Sequence, residues 1–192
     1  MKKQKRRQPI LIENIKIIDT ASKGKSIAKH DGRAIFVQGA VPGDICDITV
    51  FKRRKKFWEA RVEKVHTYSE IRTEPKCEHF GTCGGCKWQN MEYSSQLDFK
   101  QNEVLNNLKR IGGFKLPKYS KIIGSENKYF YRNKMEFTFS NKRWLSLNEI
   151  QSEVEITDKD ALGFHVPSMF DKVINLNKCH LQKDPSNAIR LS

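Results

Sequence analysis

The chain of 192 residues is strongly basic, with 36 lysines and arginines against 22 aspartates and glutamates and a net charge of +14. Its hydrophobic fraction of 38% is sufficient for compact cores, whereas its pI near 9.6 indicates a polyanionic partner. No run of about 18 apolar residues occurs, and the apolar stretch at residues 10–12 is too short for the core of a signal peptide. We therefore expect a cytoplasmic protein without a membrane-spanning or secretory segment.

The first 66 residues divide into a basic tail and a series of short strands. Residues 1–7 contain five cations and are expected to form a disordered tail, since so polar a segment has little to bury. From residue 8 to residue 66, short apolar stretches are interrupted by Gly and Pro turn signals, a pattern typical of a small all-β barrel or sandwich. Cys46 shares one face of its predicted strand with Ile48 and Val50, so its thiol is predicted to belong to the core.

A run of five consecutive cations between aromatic residues separates two of these predicted strands. Such a hairpin tip can bind phosphates, and an adjacent aromatic ring can stack on an unpaired base. A solvated hairpin without a ligand is the alternative. The RNA-contact residues predicted here are Lys52, Arg53, Arg54, Lys55, Lys56 and Phe57.

The motifs of residues 8–66 resemble the TRAM domain, a small OB-like β-barrel of RNA-modifying enzymes. They are Gly32-Arg-Ala-Ile-Phe-Val37, Ala40-Val-Pro-Gly-Asp44, the basic hairpin and Trp58-Glu-Ala-Arg-Val62. The resemblance implies an OB-like barrel that binds RNA.

Three of the five cysteines, Cys77, Cys83 and Cys86, form a C-x5-C-x2-C arrangement. This crowding favours a metal site in a reducing compartment over a disulfide framework. Gly84 and Gly85 permit positive φ and allow backbone N–H groups to approach the sulfurs.

A fourth ligand is needed, and Cys179 is the cysteine left unassigned. The spacing alone leaves two metals open. Zinc accepts a fourth cysteine or a histidine such as His79 or His180, whereas a cuboidal iron–sulfur cluster takes four thiolates.

The cysteine motif and the residues after it resemble the RNA (uracil-5-)-methyltransferases. The motif reads Cys77-x5-Cys83-Gly-Gly-Cys86-Lys-Trp-Gln89, followed by Tyr93-x2-Gln96-Leu97-x2-Lys100-Gln101 and the distant Cys179. Its combination with an N-terminal TRAM domain resembles the 23S rRNA branch, whereas the tRNA branch typically lacks both features. The resemblance implies a 4Fe-4S cluster that acts as a structural staple, with the ligands Cys77, Cys83, Cys86 and Cys179.

Residues 67–192 are predicted to form an α+β domain with an antiparallel sheet and the cysteine-ligated cluster loop. A helix is expected over about residues 94–111, before Gly112 and Gly113. Alternating apolar and polar residues predict a strand over residues 129–140, and two more strands are expected at residues 161–165 and 172–176. Arg132 and Lys134 on the polar strand face are further predicted RNA contacts, with a merely charged outer face as the alternative.

The family resemblance implies methyl transfer from S-adenosylmethionine to C5 of a flipped-out uracil, after a cysteine thiolate attacks C6. No glycine-rich cofactor loop, alternating strand and helix pattern or spare cysteine is present in the sequence. We therefore expect the N-terminal part of such an enzyme, a monomer that binds 23S rRNA and the cluster. The catalytic domain, and with it S-adenosylmethionine, would be absent.

Three other interpretations remain open at this point. The chain could be a stand-alone RNA-binding module with a zinc or iron–sulfur staple, or a zinc-ribbon-like structural protein. A radical S-adenosylmethionine methylthiotransferase would also carry a TRAM domain, but its chemistry requires a C-x3-C-x2-C loop, and the first spacing here is x5.

Overall fold

The computed structural model describes residues 8–152 and 154–192, so the tail predicted at residues 1–7 lies outside the described residues. The chain divides into two compact units. The first contains the described residues through Glu74 together with Asn90–Gly124, and the second contains Pro75–Gln89 together with Ser125–Ser192. In chain order the elements are β1 (Ile10–Ala21), a 3-10 turn (Ser22–Gly24), β2 (Lys25–His30), β3 (Arg33–Gln38), β4 (Ile45–Arg53), β5 (Phe57–Thr67), α1 (Tyr93–Arg110), β6 (Thr138–Ser140), α2 (Leu147–Gln151), β7 (Ala161–His165), β8 (Val173–Asn175) and α3 (Ser186–Leu191).

The strands β1 to β5 form a closed barrel in the order β1-β2-β3-β5-β4. Neighbouring strands are antiparallel except for β3 and β5, which run parallel. The predicted OB-like barrel is therefore confirmed. Cys46 is fully buried in its core, where burial raises the pKa of the thiol to about 11. The core consists of Ile12, Ile15, Ile17, Ala28, Ile35, Val37, Ala40, Cys46, Ile48, Val50 and Ala60.

A β-bulge at Asn14 interrupts the pairing of β1 with β4. The register shifts between Ile12 and Ile15, and Asn14 between them has φ 51, a left-handed conformation that asparagine tolerates. The N–H that the bulge removes from the ladder donates to Asp47 Oδ1 at 2.8 Å. His66 Nε2 lies 2.7 Å from the same carboxylate oxygen. The bulge thus bends β1 without leaving its backbone group unpaired.

The loop between β3 and β4 is held by the buried carboxylate of Asp44. Its oxygens accept hydrogen bonds from the backbone N–H groups of Val41 at 2.7 Å and Ser69 at 3.0 Å. They also accept bonds from Arg72 Nε at 2.8 Å and Nη2 at 2.7 Å. Arg72 Nη2 lies 3.2 Å from the carbonyl oxygen of Gly39 as well. The Asp44 side chain is 0% exposed and that of Arg72 is 20% exposed, so the ion pair is largely shielded from water. Both carboxylate oxygens are hydrogen-bonded.

Gly43 makes the close approach of the two segments possible. Its φ is 99, and a Cβ at this position would lie 2.5 Å from Ser69 Oγ. That hydroxyl donates to the carbonyl oxygen of Pro42 at 2.6 Å. In the Pro-Gly-Asp sequence, Pro42 therefore supplies the carbonyl oxygen that accepts the Ser69 hydrogen bond. Gly43 supplies the left-handed turn without a side chain, and Asp44 supplies the buried charge.

The chain leaves and re-enters the first unit through two short antiparallel segments, residues 71–73 and 90–92. They are joined by backbone hydrogen bonds of 2.9 and 3.2 Å. Arg72, the partner of Asp44, forms a β-bridge with Met91, which is 1% exposed. Arg72 therefore belongs both to the buried ion pair and to the β-bridge between the two segments.

The helix predicted at residues 94–111 is α1, which spans Tyr93–Arg110. Glu103 of α1 accepts a hydrogen bond of 2.7 Å from Ser22 Oγ, which follows β1. The helix therefore groups with the barrel, which differs from its expected place in the domain of residues 67–192. The C-terminal half of α1 exposes apolar side chains, with Val104 57% and Leu108 42% exposed.

The second unit contains the antiparallel sheet β6-β7-β8, as predicted for an α+β domain. The strand predicted at residues 161–165 is β7, and β8 lies within the predicted 172–176. A Cβ on Gly163 would lie 2.1 Å from the carbonyl oxygen of Ile174, so only glycine allows this strand pairing. The core is formed by Val166, Ile174 and Leu176, against which Cys83, Phe137, Trp144 and Phe164 pack.

The strand predicted over residues 129–140 forms only at its end, as β6, so that prediction is largely wrong. Phe130 has φ 55, which interrupts an extended chain. The N–H groups of Phe130 and Arg132 donate to the carbonyl oxygens of His180 and Leu181 at 2.9 Å each. The segment thus pairs with the irregular chain beside Cys179, and Arg132 and Lys134 do not project from a strand face.

No helix among residues 8–152 and 154–192 combines the length and the apolar composition needed to span a membrane.

Replacement of Asp44 by asparagine should destabilise the barrel by about 3–5 kcal/mol, because Arg72 loses its buried counter-charge and one carbonyl oxygen cannot serve all four donors. Hydrogen exchange with peptide-level resolution should show faster exchange of β3, β4 and residues 69–72.

Glu63→Gln is the matched control, since the ion pair of Glu63 with Arg61 is exposed and its loss should have little effect on stability. Equal exchange in the two variants would contradict the role assigned to Asp44.

Candidate metal centre and nucleic-acid surface

Four of the five cysteines line one cavity in the second unit. Cys77, Cys83 and Cys86 come from the loop at residues 75–89, and Cys179 comes from the chain after β8. The cavity encloses about 370 Å³, its open mouth included. All five cysteines of the protein are free thiols. Apolar side chains also line the cavity, namely Phe80, Phe164, Leu176 and Leu181.

Short turns position the cysteines of the loop. The N–H of Phe80 donates to the carbonyl oxygen of Cys77 at 3.0 Å, and that of Cys83 donates to the carbonyl oxygen of His79 at 2.8 Å. The N–H of Cys77 donates to Gln89 Oε1 at 3.1 Å, which joins the two ends of the loop. The loop therefore positions Cys77 and Cys83 by its own hydrogen bonds, and Cys86 follows three residues later in the same loop.

Neither glycine between Cys83 and Cys86 adopts the predicted positive φ, and a side chain would clash only at Gly84. The N–H of Gly85 points to Cys83 Sγ at 3.4 Å, as expected for a backbone donor to sulfur. The N–H of Gly84 donates to the carbonyl oxygen of His165 at 3.2 Å, and a Cβ on Gly84 would lie 2.5 Å from that oxygen. Glycine is thus required where the loop meets the end of β7.

The thiols of the cavity influence one another electrostatically. Burial raises the pKa of Cys77, and the neighbouring Cys86 and Cys179 raise that pKa further. Burial also raises the pKa of Cys83, while the N–H of Gly85 acts in the opposite direction. Several thiolates in one dry site are therefore unfavourable unless a cationic centre compensates for their charge.

His79, the first histidine considered as a zinc ligand, is engaged elsewhere. Its Nε2 accepts a hydrogen bond of 3.0 Å from the N–H of Asn177, and Asn177 Nδ2 donates to Glu78 Oε1 at 3.2 Å. Burial lowers the pKa of the imidazole, in keeping with a neutral ring that accepts at Nε2. This nitrogen has no lone pair left for a metal.

His180 lies beside the cavity in a cluster of aromatic rings that the sequence analysis did not find. Its ring contacts those of Tyr129 and Phe130 edge-on, with centroids 6.3 and 5.9 Å apart. Lys76 Nζ lies 4.9 and 5.3 Å from the same two centroids, a cation–π arrangement. His180 Nδ1 is buried with no hydrogen-bond partner among the described residues. No local sequence pattern could reveal this cluster, because Lys76, Phe130 and His180 are distant in the chain.

The donor set fits an iron–sulfur cluster. It offers four thiols, a backbone N–H directed at sulfur, apolar walls and an unpartnered imidazole nitrogen beside them. Among the residues that the structure describes, no three His, Cys, Asp or Glu side chains are arranged around a single metal ion.

The basic hairpin contains residues with different local partners. Glu59 binds Lys52 Nζ and Lys25 Nζ at 2.8 Å each, and Arg53 Nη2 donates to the carbonyl oxygen of Gln8 at 3.4 Å. The tip residues Arg54, Lys55 and Lys56 are exposed and have no ion pair among the described side chains. Three of the five predicted cations are thus available to an anion without breaking an existing interaction.

The aromatic residues of the hairpin lie on different sides of the barrel wall. Phe57 is half-buried and packs edge-on against Phe36, with ring centroids 5.3 Å apart. Trp58 packs against the barrel core, with the Arg33 guanidinium 5.3 Å from its ring centroid. Phe57 is therefore the ring beside the exposed cations.

The remaining two predicted RNA contacts, Arg132 and Lys134, lie in the second unit and are both exposed. Lys134 Nζ forms an ion pair of 2.8 Å with Glu136, whose side chain is as exposed as its own. Such a pair contributes little and opens readily.

These features define a class of protein: an OB-like barrel with a basic hairpin, followed by an α+β unit in which four cysteines line a cavity. The model of the TRAM domain family matches residues 2–63. An uncharacterized RNA methyltransferase of Bacteroides thetaiotaomicron is 49% identical over 88% of this chain and 37% of its own length. For one of Porphyromonas gingivalis, the identity is 41% over 92% of this chain and 39% of the relative.

The chain carries a TRAM domain and is similar, over most of its length, to these proteins named RNA methyltransferases. It spans less than two fifths of the length of the two relatives described above. The crystal structure of Pyrococcus abyssi tRNA (uracil-54, C5)-methyltransferase with S-adenosyl-L-homocysteine has a similar fold, with a TM-score of 0.51 and 23% identity. That similarity covers 91% of this chain and 34% of the Pyrococcus chain.

The stability of the barrel should fall as the pH is lowered from about 4.5 towards 2, because hydrogen bonds from Lys25 and Lys52 lower the pKa of Glu59 to about 2. The folded state binds this proton more weakly than the unfolded chain, so its stabilising contribution is complete above the unfolded pKa and is lost on protonation. We expect a loss on the order of 1–3 kcal/mol, measured by denaturant unfolding at each pH.

Glu59→Gln should flatten this part of the pH profile. Glu13→Gln, an exposed carboxylate on β1 without an ion pair among the described residues, is the control and should retain the profile. Identical profiles for all three proteins would contradict the assignment to Glu59.

Proposed function

We propose that this chain is the RNA-binding and cluster-binding part of an S-adenosylmethionine-dependent RNA (uracil-5-)-methyltransferase that acts on 23S rRNA. The observation that carries the proposal is the meeting of four cysteines from two distant chain segments around one cavity. Methyl transfer is proposed for the whole protein, since the chain spans 37% of the length of the Bacteroides relative.

The proposed ligands of a 4Fe-4S cluster are Cys77, Cys83, Cys86 and Cys179. The choice of a cluster over zinc rests on the resemblance of the four-cysteine motif to that of the RNA (uracil-5-)-methyltransferases. When bound, the cluster would cross-link the cysteine loop to the chain after β8.

The protein itself supplies the environment of that cluster. The N–H of Gly85 would remain a donor to the sulfur of Cys83, and Phe80 and Phe164 would keep water from part of its surface. Four thiolate ligands leave no iron open to substrate, so the proposed role is structural.

The RNA-binding role rests on the TRAM barrel and its hairpin. Arg54, Lys55 and Lys56 project three unpaired charges beside the half-buried ring of Phe57. Cations attract the phosphates of any RNA, and an aromatic ring can stack on one unpaired base. Arg132 and Lys134 are proposed as additional phosphate contacts in the second unit.

The choice of 23S rRNA over tRNA depends on the joint presence of the TRAM domain and the four-cysteine motif. The Pyrococcus neighbour is a tRNA methyltransferase, and its fold resembles 91% of this chain. The fold is therefore compatible with both substrates, and tRNA is the competitor to include in binding experiments.

Anaerobically reconstituted protein should contain about four irons and four acid-labile sulfides per chain. Cys179→Ser should lose or destabilise this content, because three thiolates remain. Iron, sulfide and zinc are measured together. Cys46→Ala is the control, since its thiol lies in the barrel core and should not affect metal content. One zinc per chain, or metal content indifferent to Cys179, would contradict the proposed cluster.

The triple variant Arg54→Gln, Lys55→Gln, Lys56→Gln should bind polyuridylate more weakly and with a flatter salt dependence. Loss of three phosphate contacts should reduce the slope of log affinity against log salt by about 2. Lys16→Gln, Lys29→Gln, Lys64→Gln removes the same charge from exposed barrel positions and should retain the slope.

An unchanged slope in the hairpin variant would indicate a merely solvated hairpin. Competition between 23S rRNA and tRNA for the same protein tests the substrate, and preference for tRNA would overturn the 23S assignment.

A further inference from the structure

Cys179 is held differently from the other three cysteines. The loop at residues 75–89 carries Cys77, Cys83 and Cys86 and is fixed by its own turns. Cys179 lies in an irregular stretch after β8 and has no such loop around it. It is nevertheless only 8% exposed, so another element must fix it at the cavity.

That element is α3, through the side chain of Asn187. Asn187 Oδ1 accepts a hydrogen bond of 2.9 Å from the N–H of Cys179, and Asn187 Nδ2 donates to the carbonyl oxygen of Cys179 at 3.1 Å. The side-chain amide thus pairs with both backbone groups of one residue, as a neighbouring strand would. Asn187 is 8% exposed, so these bonds are shielded from water.

Arg190, one helical turn later, holds the chain just before Cys179. Its Nη1 donates to the carbonyl oxygen of Leu176, and its Nη2 donates to that of Asn177 at 3.1 Å. The guanidinium also lies 5.6 Å from the ring centroid of Phe137. Two side chains of α3 therefore hold residues 176–179 at both ends.

We propose that Asn187 is a positioning residue for Cys179, so that retention of the cluster depends on a side chain that does not bind the metal. This inference rests on the proposed function, in which Cys179 is the fourth ligand. Arg190 supports the same segment from its other end.

The chemistry of the pair explains why asparagine is suited to this position. Its amide offers one donor and one acceptor at the spacing of a peptide group. Alanine would leave the N–H and the carbonyl oxygen of Cys179 buried without partners, which is costly in a site so little exposed. Aspartate would keep the acceptor but place a second oxygen against the Cys179 carbonyl.

The first test uses the metal-free protein and needs no cluster. Alkylation of each cysteine by iodoacetamide is followed by mass spectrometry in the wild type, Asn187→Ala and Asn187→Asp. We expect Cys179 to react faster in Asn187→Ala, because its segment loses two buried hydrogen bonds and opens more often, and at an intermediate rate in Asn187→Asp. Cys77, Cys83 and Cys86 should keep their wild-type rates, which a general loss of folding would not allow.

The second test uses the reconstituted protein. The rate of iron release to a chelator should rise about 10- to 100-fold in Asn187→Ala, as for other residues that orient a metal ligand. Ile189→Ala is the matched control, because Ile189 lies on the same helix and is 71% exposed. It should leave both the alkylation and the release rate unchanged.

The proposal is overturned if Asn187→Ala alters neither rate, or if Ile189→Ala alters both to the same extent. Wild-type protein that binds no iron would overturn the proposed cluster instead. In that case the alkylation rates still decide whether Asn187 holds Cys179.

Discussion

The buried carboxylate of Asp44 is the interaction on which the first unit depends. It joins the loop after β3 to Ser69 and Arg72, at the place where the chain is about to leave the barrel. A buried charge is tolerated only when every partner is present, so Gly43 and Arg72 must keep their positions together. Because Arg72 also bridges to Met91, the same carboxylate stabilises the paired segments from which the cysteine loop departs and to which it returns.

In the cysteine cavity, the thiols are positioned by two separate elements, the turns of the loop at residues 75–89 and the distant helix α3. Three thiols are placed by the loop's own backbone, and the fourth is placed by side chains of α3. Burial raises the pKa of Cys77 and of Cys83, so the metal-free site favours neutral thiols. The cavity is thus lined in advance by four thiols, and burial disfavours the charged form of two of them.

The elements that were predictable are those with a local pattern. The barrel strands and β7 follow from alternating side chains, and α1 follows from its helical periodicity. The segment at residues 129–140 has the same alternation, yet Phe130 turns it towards the carbonyl oxygens beside Cys179. Similarly, the roles of Gly84 and Asn187 depend on partners that come close only in three dimensions. A sequence pattern indicates which side chains are buried. It does not indicate which backbone groups of distant segments form hydrogen bonds with each other.

The basic hairpin shows how a charge run overstates the charge available for binding. Five consecutive cations suggest one uniform surface, but Glu59 on the neighbouring strand already holds Lys52, together with Lys25 from β2. Those two ammonium groups lower the pKa of the carboxylate to about 2, so its charge persists far into the acidic range. Arg54, Lys55 and Lys56 are left beyond the last strand pair, where their charges are not offset locally. One carboxylate therefore engages part of the charge run, and within the hairpin the three cations without an ion pair lie at the tip, next to Phe57.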